Sequence, residues 1–306
     1  MRITERKGYK ISDITLGTVQ LGIPYGINNK TGMPTFEESS KILKTALDCG
    51  ICAFDTARAY GKSEEVLGKY FAQDKREKTL ITKVKFTDET EANVKESLFL
   101  QAEDSRKKLG VDKLPFIMLH NENYAFQYGK EMERALTELK KSGIVANVGI
   151  SVSDKSRLDE ILASGVYDCI QTPLNLFDNA EIRSGKIKEL ANNDIVIFVR
   201  SVYLQGLFFK NPDELPAKLS SAAPALRRLS QIAEEENTSV AALALSYIRD
   251  AEGVSSLVLG CETPEQLVDS VDKLSAPALK KSVFDELMSL SEEIEPIVIR
   301  PWEWNK

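Results

Sequence analysis

TLITKV (residues 79–84) and PFIMLHN (residues 115–121) are two short stretches rich in β-branched and aliphatic residues, and they flank a longer segment, Glu91–Leu109. The apolar residues of that segment recur at helical spacing, at Val94, Leu98, Ala102 and Leu109. This spacing predicts an amphipathic helix, and Gly110 stands where a helix C-cap is expected. Because the flanking strands are apolar on both faces, the unit is typical of a parallel sheet covered by helices.

The same strand–helix unit recurs along the chain. A second helix is predicted over Tyr128–Ser142, followed by Gly143 as its stop. The eight predicted strands are Ile14–Thr18, Ile51–Thr56, Thr79–Val84, Pro115–Asn121, Val145–Val152, Tyr167–Leu174, Ile195–Val202 and Val254–Gly260. Eight such units in about 250 residues are typical of the α/β class and of the (β/α)8 TIM barrel. Since no linker or low-complexity run interrupts them, we expect residues 1–306 to form a single domain.

Four segments fall outside the eight units. We expect a short N-terminal hairpin within Met1–Lys10 that plugs the bottom of the barrel, an extra helix over Leu279–Ile294, and a C-terminal tail over Pro296–Lys306. The stretch Gly17–Pro34 is predicted to be a long loop because it is rich in turn-forming residues, among them Gly22, Pro24, Gly26, Asn28, Asn29 and Gly32. Long loops often shape an active site.

Composition narrows the class of protein. The chain has 306 residues, 42% of them hydrophobic and 28% charged, with no apolar run long enough to cross a membrane and no signal peptide pattern. We therefore expect a cytoplasmic protein without a membrane partner. A net charge of −6 without a basic block argues against a nucleic-acid partner. The sequence leaves the oligomeric state open.

The four cysteines are a candidate metal site that the architecture disfavours. Cys49 and Cys52 form a C-x-x-C pattern across a predicted helix end and strand start, at the opposite end of the barrel from Cys261. Because a four-cysteine zinc site cannot converge from these places, we expect four free thiols and no metal.

Polar residues stand at the carboxyl end of each predicted strand: Thr18, Asp55, Lys83, His120, Ser151, Gln171, Arg200 and Gly260. In a barrel these ends meet at one face, where the active sites of this fold lie. Each residue also has a structural interpretation when it is considered alone. Asp55 is also compatible with a helix cap, Lys83 with a side chain that reaches solvent, and His120 with a buried packing role. With Tyr60 five residues after Asp55, the set as a whole indicates proton chemistry at a carbonyl.

These residues resemble a known family. FDTARAYG (54–61), ITKV (81–84) and MLHN (118–121) are similar to the Asp, Tyr, Lys and His tetrad of the aldo-keto reductases, in the same order and spacing. The similarity extends from LGT (16–18) through VGIS (148–151) to GCETPEQL (260–267), which is nearly the whole chain. The stretches LGTVQLG (16–22) and RSVYLQG (200–206) resemble a bacterial branch of the family. The resemblance implies an NAD(P)H-dependent oxidoreductase that interconverts a carbonyl compound and its alcohol.

The resemblance implies a separate role for each residue of the tetrad. Tyr60 is expected to be the general acid and base, with its pKa lowered toward the operating pH by the adjacent ammonium of Lys83. Asp55 is expected to pair with Lys83 and hold it in place. His120 is expected to donate a hydrogen bond to the substrate oxygen.

The resemblance also assigns cofactor contacts. Ser151 and Gln171 match residues that hold the nicotinamide carboxamide, and Gly17 and Thr18 match a backbone approach to the cofactor. Two positions depart from the family pattern. Val152 replaces a common Asn, so that Asn175 is a candidate substitute. Arg200, followed by Ser201, replaces an aromatic residue and is able to stack or to bind an anion.

The loop after the eighth strand is expected to bind the adenosine half of the cofactor, because Thr263 is placed to cap a helix that starts at Pro264. NADP(H) is the usual choice of the family. The residues at the matching positions, Gly260, Cys261 and Gln266, offer no cation for a 2′-phosphate, and Glu262 would repel it, so NAD(H) or dual use stays open.

The substrate and the exact role are left open by the residues. Tyr25, Tyr203 and Trp302 are candidate substrate-pocket residues for a small carbonyl or alcohol substrate. Two alternatives to a carbonyl reductase are a nicotinamide-binding sensor or partner module with slow turnover, and a sugar-modifying enzyme that uses a tightly held cofactor without net redox change.

Overall fold

The predicted strands form a closed parallel barrel in the computed structural model, which describes residues 1–25 and 32–304. They follow a hairpin of β1 (Ile3–Arg6) and β2 (Tyr9–Ser12). The barrel strands are β3 (Ile14–Gly17), β4 (Ala53–Asp55), β5 (Thr79–Val84), β6 (Leu114–Leu119), β7 (Val145–Ser151), β8 (Cys169–Pro173), β9 (Val196–Arg200) and β10 (Ser256–Gly260). Adjacent strands pair in parallel in chain order, and β10 closes the barrel by pairing with β3.

Helices on the outside of the barrel connect the strands. They are α1 (Phe36–Asp48), α2 (Ser63–Gln73), α3 (Val94–Leu109), α4 (Asn123–Lys141), α5 (Leu158–Ser164), α6 (Ala180–Arg183), α7 (Lys186–Asn192), α8 (Ala223–Glu235), α9 (Val240–Asp250), α10 (Pro264–Leu274) and α11 (Lys281–Ser289). The (β/α)8 prediction is confirmed. Local signals set several helix ends: Thr35 and Glu38 form a capping box at the start of α1, and Gly110 ends α3 with φ +66°.

The predicted helix bounds differ from the observed ones in three places. The first helix begins at Val94 rather than at residue 91. The second begins at Asn123, five residues before its predicted start, and contains a break at Gly129, whose φ is +46°. The extra C-terminal helix spans only Lys281–Ser289 of the predicted 279–294. Gly26, Asn28 and Asn29 of the predicted long loop lie outside the described residues.

The N-terminal hairpin closes the bottom of the barrel, as predicted. Ile11 is fully buried together with barrel-interior residues that include Phe116 and Phe198. Tyr9 packs edge-on against Phe116, with ring centroids 5.7 Å apart. Main-chain oxygens of the hairpin accept hydrogen bonds from the barrel, such as that from Thr79 Oγ1 to Lys10 O at 2.6 Å. With the bottom closed in this way, the carboxyl ends of the strands, here called the barrel mouth, remain as the open face.

Three further observations concern the described part of the chain. Cys49, Cys52, Cys169 and Cys261 carry free thiols. Within residues 1–25 and 32–304, no group of three or more His, Cys, Asp or Glu side chains is arranged to hold a metal ion. None of the helices in these ranges combines the length and the apolar character that a membrane crossing requires.

Candidate active site

A buried ion pair lies at the mouth, between the ends of two adjacent strands. Lys83 Nζ donates to both carboxylate oxygens of Asp55, each at 2.6 Å, and to Thr56 O at 3.1 Å. Lys83 is fully buried, and only 3% of Asp55 is exposed. The Asp55 carboxylate also accepts a hydrogen bond from Gln171 Nε2 at 2.8 Å. The ammonium is therefore held at a defined place by charge-assisted hydrogen bonds.

Two opposing effects act on the pKa of Lys83. Burial lowers it, but the Asp55 carboxylate and the neighbouring Tyr60 more than compensate, so that the pKa is raised. Lys83 is therefore a permanent cation at neutral pH, as the predicted role of this residue requires.

Tyr60 lies beside the ion pair on the loop after β4. Its ring centroid is 5.1 Å from Lys83 Nζ, and its ring meets that of His120 edge-on with centroids 5.5 Å apart. The structure thus brings all four predicted tetrad residues together. The expected direction of the Tyr60 pKa is wrong, however. Burial raises this pKa by more than the Lys83 ammonium lowers it, and the Asp55 carboxylate raises it further.

His120 follows β6 directly and is a neutral imidazole at neutral pH. Burial lowers its pKa to about 4, and the cations Lys83, Arg200 and Lys85 contribute in the same direction. Its Nδ1 atom is buried without a hydrogen-bond partner in the described structure. A buried unpaired N–H donor is rarer in proteins than an under-satisfied acceptor. We therefore expect Nδ1 to be the unprotonated nitrogen and Nε2 to carry the proton.

The Tyr60 loop is held by a close backbone contact that the sequence analysis did not identify. A Cβ atom on Gly22 would lie 1.8 Å from Tyr60 O and 2.5 Å from Ser63 N. Lys62 N donates to Gly22 O at 3.2 Å, and Gly61 adopts φ +55° next to this contact. Only a residue without a side chain fits at position 22, so the glycine is required for the placement of Tyr60. Its position in a glycine-rich stretch was the only available signal.

A hydroxyl network below the mouth was also missed. Thr18 Oγ1 donates to Asp55 O at 2.8 Å and lies 2.7 Å from Ser63 Oγ. Ser63 in turn accepts from Thr56 Oγ1 at 2.8 Å. Because all three hydroxyls are buried and engaged, the Thr18 side chain positions the backbone that carries Asp55. Nothing about Ser63 in the sequence distinguishes it from a helix-start serine.

The residues matched to the nicotinamide carboxamide lie side by side at the mouth. Ser151, the last residue of β7, is paired in register with Gln171, the middle residue of β8, and both are buried. Within the described residues no hydrogen bond is formed by the Ser151 hydroxyl. Asn175, the candidate substitute for the missing Asn, is committed elsewhere: its Oδ1 accepts from the backbone N–H groups of Phe177 and Asp178, and its Nδ2 donates to Ser201 O.

The residues matched to the adenosine half surround the start of α10. Thr263 caps this helix by accepting from Gln266 N at 3.3 Å, and Gln266 Oε1 accepts from Glu262 N at 2.8 Å. The predicted helix start is confirmed. Gln266 therefore belongs to the cap.

The glycines at the mouth differ in the space around them. A Cβ atom on Gly17 would meet nothing closer than 3.4 Å, whereas a Cβ atom on Gly260 would collide with the side chain of Gln20. Protein packing alone does not require glycine at position 17.

Arg200 occupies the end of β9 and reaches across the mouth. Its Nη2 donates to Ser153 Oγ at 2.8 Å, and its Nη1 lies 3.5 Å from Ser201 Oγ. Burial lowers its pKa, while Tyr60 and Glu122 are the main neighbours that raise it. Ser201 has a left-handed backbone, with φ +62°.

The three candidate substrate-pocket residues are placed differently. Tyr25 is half-exposed and lies close enough to Tyr60 and Arg200 to influence the pKa of each. Trp302 is 56% exposed, on a short 3-10 helix of the C-terminal tail. Tyr203 packs on Phe209 and lies close enough to Ser270 of α10 to influence the pKa of the phenol. Its contacts are thus with α10 rather than with the tetrad.

Sequence similarity to known proteins extends over most of the chain. The family model described as the Aldo/keto reductase family matches residues 13–292. A Schizosaccharomyces pombe protein named for a voltage-gated potassium channel subunit beta is 27% identical, covering 95% of this chain and 93% of its own. An L-glyceraldehyde 3-phosphate reductase of Escherichia coli O157:H7 is 24% identical over the same shares of the two chains.

Solved structures share the fold. The holo form of an aldo-keto reductase from Bacillus halodurans superposes with a TM-score of 0.77 at 20% identity, covering 97% of this chain and 99% of that one. The family match spans the barrel from β3 to α11 and includes every tetrad position. This chain therefore belongs to the aldo/keto reductase family of NAD(P)-dependent oxidoreductases.

Proposed function

We propose that the protein reduces an aldehyde or ketone to its alcohol, with Tyr60 as the proton donor. The observation that carries the proposal is the fully buried Lys83–Asp55 pair beside the Tyr60 ring, with Lys83 Nζ 5.1 Å from the ring centroid. A buried cation stabilises the phenolate that forms when the proton leaves, and it does so most effectively in a site shielded from water.

The protonation states support reduction as the favoured direction at neutral pH. The raised pKa of Tyr60 keeps the phenol protonated, as a general acid must be before it acts. Oxidation of an alcohol needs the phenolate instead. We therefore expect the reductive rate to persist through neutral pH and to fall only as the pH approaches the raised pKa, where the oxidative rate rises.

His120 orients the carbonyl in this proposal. Because its pKa of about 4 keeps it neutral, it offers one N–H donor and no positive charge at neutral pH. A hydrogen bond from Nε2 to the carbonyl oxygen would hold that oxygen near Tyr60 and stabilise the negative charge that develops on it.

The mouth residues fit a nicotinamide cofactor. The adjacent side chains of Ser151 and Gln171 would hold the carboxamide, Gly17 leaves room for a close approach, and the capped start of α10 favours phosphate. A bound nicotinamide supplies hydride chemistry at the carbonyl carbon. We propose NADP(H) with weak discrimination against NAD(H), because the side chains at positions 262 and 266 are an acid and a neutral amide.

The test is the variant Tyr60→Phe. Since only the proton donor is removed, we expect turnover of a carbonyl substrate to fall by about a hundred- to ten-thousandfold. The dissociation constant of NADPH, measured by fluorescence, should stay within about twofold. Tyr70→Phe, which removes a hydroxyl from the remote α2, is the matched control. Unchanged turnover in Tyr60→Phe would remove Tyr60 from the mechanism. Tight cofactor binding with negligible wild-type turnover would favour the sensor module instead.

A further inference from the structure

Arg200 differs from the other buried or partly buried cations near the mouth because its hydrogen-bond partners are hydroxyls and not carboxylates. Lys83 is neutralised by Asp55, and Lys155 forms ion pairs with Asp178 at 2.5 Å and Glu181 at 2.6 Å. The hydrogen bonds of Arg200 go to the hydroxyls of Ser153 and Ser201. In the described ranges no carboxylate forms an ion pair with it. A guanidinium carries several N–H donors, so most of its capacity remains unused.

The loop that carries Ser153 is itself anchored. Glu122 is buried, and its Oε1 accepts from Ser153 N at 3.2 Å and from Asp154 N at 2.8 Å. This carboxylate is thereby occupied by backbone donors and keeps Ser153 within 2.8 Å of the guanidinium. Glu122 is a positioning residue, and the Arg200–Ser153 pair presents a preorganised set of donors.

The pair lies beside the reacting groups. The charge of Arg200 interacts with Tyr60 and Asp55, and with Lys83 and Lys85 it contributes to the low pKa of His120. The contacts place the guanidinium on this side of the mouth: its partner Ser153 follows Ser151 by two residues, Ser151 is paired in register with Gln171, and Gln171 donates to Asp55. Because the guanidinium of Arg200 forms no ion pair with a carboxylate of the described residues, its charge favours an anion at the mouth over a further cation.

We infer that Arg200 and Ser153 bind an anionic group, a carboxylate or a phosphate, on the carbonyl substrate, so that the enzyme selects anionic aldehydes or ketones over neutral ones. This inference rests on the reductase function proposed above. A planar guanidinium binds either group through two parallel hydrogen bonds, which a neutral substrate cannot replace. A second source of the same chemistry is a phosphate of the cofactor, and the test separates the two.

The probes are glyceraldehyde 3-phosphate and glyceraldehyde, which differ in the anionic group alone. We expect wild type to show a higher kcat/KM for the phosphorylated aldehyde. In Arg200→Met the ratio of the two kcat/KM values should fall by about ten- to a hundredfold, the range of one charge-assisted contact. Arg200→Lys, which keeps the positive charge but loses the two parallel N–H donors of the guanidinium, should give an intermediate ratio. Arg134→Met, at a largely exposed arginine of α4, should leave the ratio unchanged.

Calorimetric titration with glycerol 3-phosphate, with glycerol as the neutral control, reports on the anion site without turnover. Binding by wild type that is lost in Arg200→Met supports the site even if neither aldehyde is reduced, in which case the proposed function alone fails. No binding, or equal kcat/KM for the two aldehydes, overturns the inference. An unchanged ratio with weakened NADPH binding in Arg200→Met also overturns it, because the anion is then the cofactor's.

Discussion

At the scale of single residues, His120 offers a direct test because it is the only histidine in the chain. Its imidazole signals in an NMR spectrum need no assignment. We expect the ring to remain neutral from pH 8 down to about pH 5 and to titrate near 4, since burial and three nearby cations oppose protonation. Nitrogen chemical shifts should place the proton on Nε2. A titration midpoint near 6.5, the usual value, would contradict this account of the site.

The Lys83–Asp55 pair provides a second test at this scale. Lys83→Met leaves a buried carboxylate without its cation, so we expect the free energy of unfolding to fall by about 3–5 kcal/mol. The double variant Lys83→Met with Asp55→Asn removes the orphaned charge and keeps an acceptor for Gln171, and it should regain most of this loss but not the activity.

Urea unfolding measures the free energy of unfolding of wild type and of each variant. Lys44→Met is the control, because it breaks an exposed helical pair with Asp48 and should change the stability little. A Lys83→Met variant as stable as this control would show that the ion pair is not desolvated in solution.

The identity of these residues was predictable, but their protonation was not. Asp55, Lys83 and His120 stand at the ends of consecutive strands, and a closed parallel barrel forces such ends together. The pKa of Tyr60 depends instead on how deeply the phenol is buried. The nearby cation can be predicted from the sequence, but the depth of burial cannot, and the predicted direction of the pKa was therefore wrong.

At the scale of secondary-structure elements, the start of α10 decides the cofactor preference in our proposal. An arginine contact to phosphate contributes ~1.5–3 kcal/mol, and the present Gln266 side chain is occupied in the helix cap. We expect Gln266→Arg combined with Glu262→Ala to shift the ratio of kcat/KM for NADPH over NADH upward by about ten- to a hundredfold. Thr263 should keep the helix capped in the variant.

The measurement uses one carbonyl substrate at fixed ionic strength. Glu265→Ala removes a neighbouring, exposed acid and serves as the control for net charge. A wild type that already prefers NADPH strongly, with no change in the double variant, would place the phosphate-binding residues elsewhere.

The accuracy of the predicted elements varies with the strength of the local signal. The end of α3 at Gly110 was correct because a left-handed glycine leaves little choice. The start of α4 was placed too late because no side-chain cap marks it, and the break at Gly129 hides the continuity with the rest of the helix. Helix bounds without a cap residue depend on packing that no local pattern reveals.

At the scale of the whole molecule, the count of strand–helix units predicted the architecture because few folds accommodate eight of them. The Gly22–Tyr60 contact was not predictable in the same way. It joins the loop after β3 to the loop after β4, and its requirement for glycine is visible only from the 1.8 Å approach to Tyr60 O. Contacts between loops depend on the three-dimensional path of each loop, which the strand pattern does not specify.

We expect the two ends of the barrel to have different roles, with the bottom contributing to stability and the mouth to the chemistry. Tyr9 of the hairpin packs against Phe116 at the bottom, whereas the tetrad lies at the mouth. We expect Tyr9→Ala to lower the free energy of unfolding by about 1–3 kcal/mol, less than for a fully buried aromatic residue because Tyr9 is only partly buried. Its kcat/KM should stay within about twofold of wild type.

Tyr9→Phe is the control, because it removes the hydroxyl but keeps the ring and its edge-on contact. We expect this variant to retain most of the stability, which would show that the ring packing and not the hydroxyl is responsible. The two measurements are urea unfolding and steady-state kinetics on the same preparations. A Tyr9→Ala variant with normal stability and strongly reduced kcat/KM would show that the hairpin communicates with the mouth. The division is expected because the hairpin contacts the amino-terminal ends of the strands, while the proposed catalytic side chains make their contacts at the carboxyl ends.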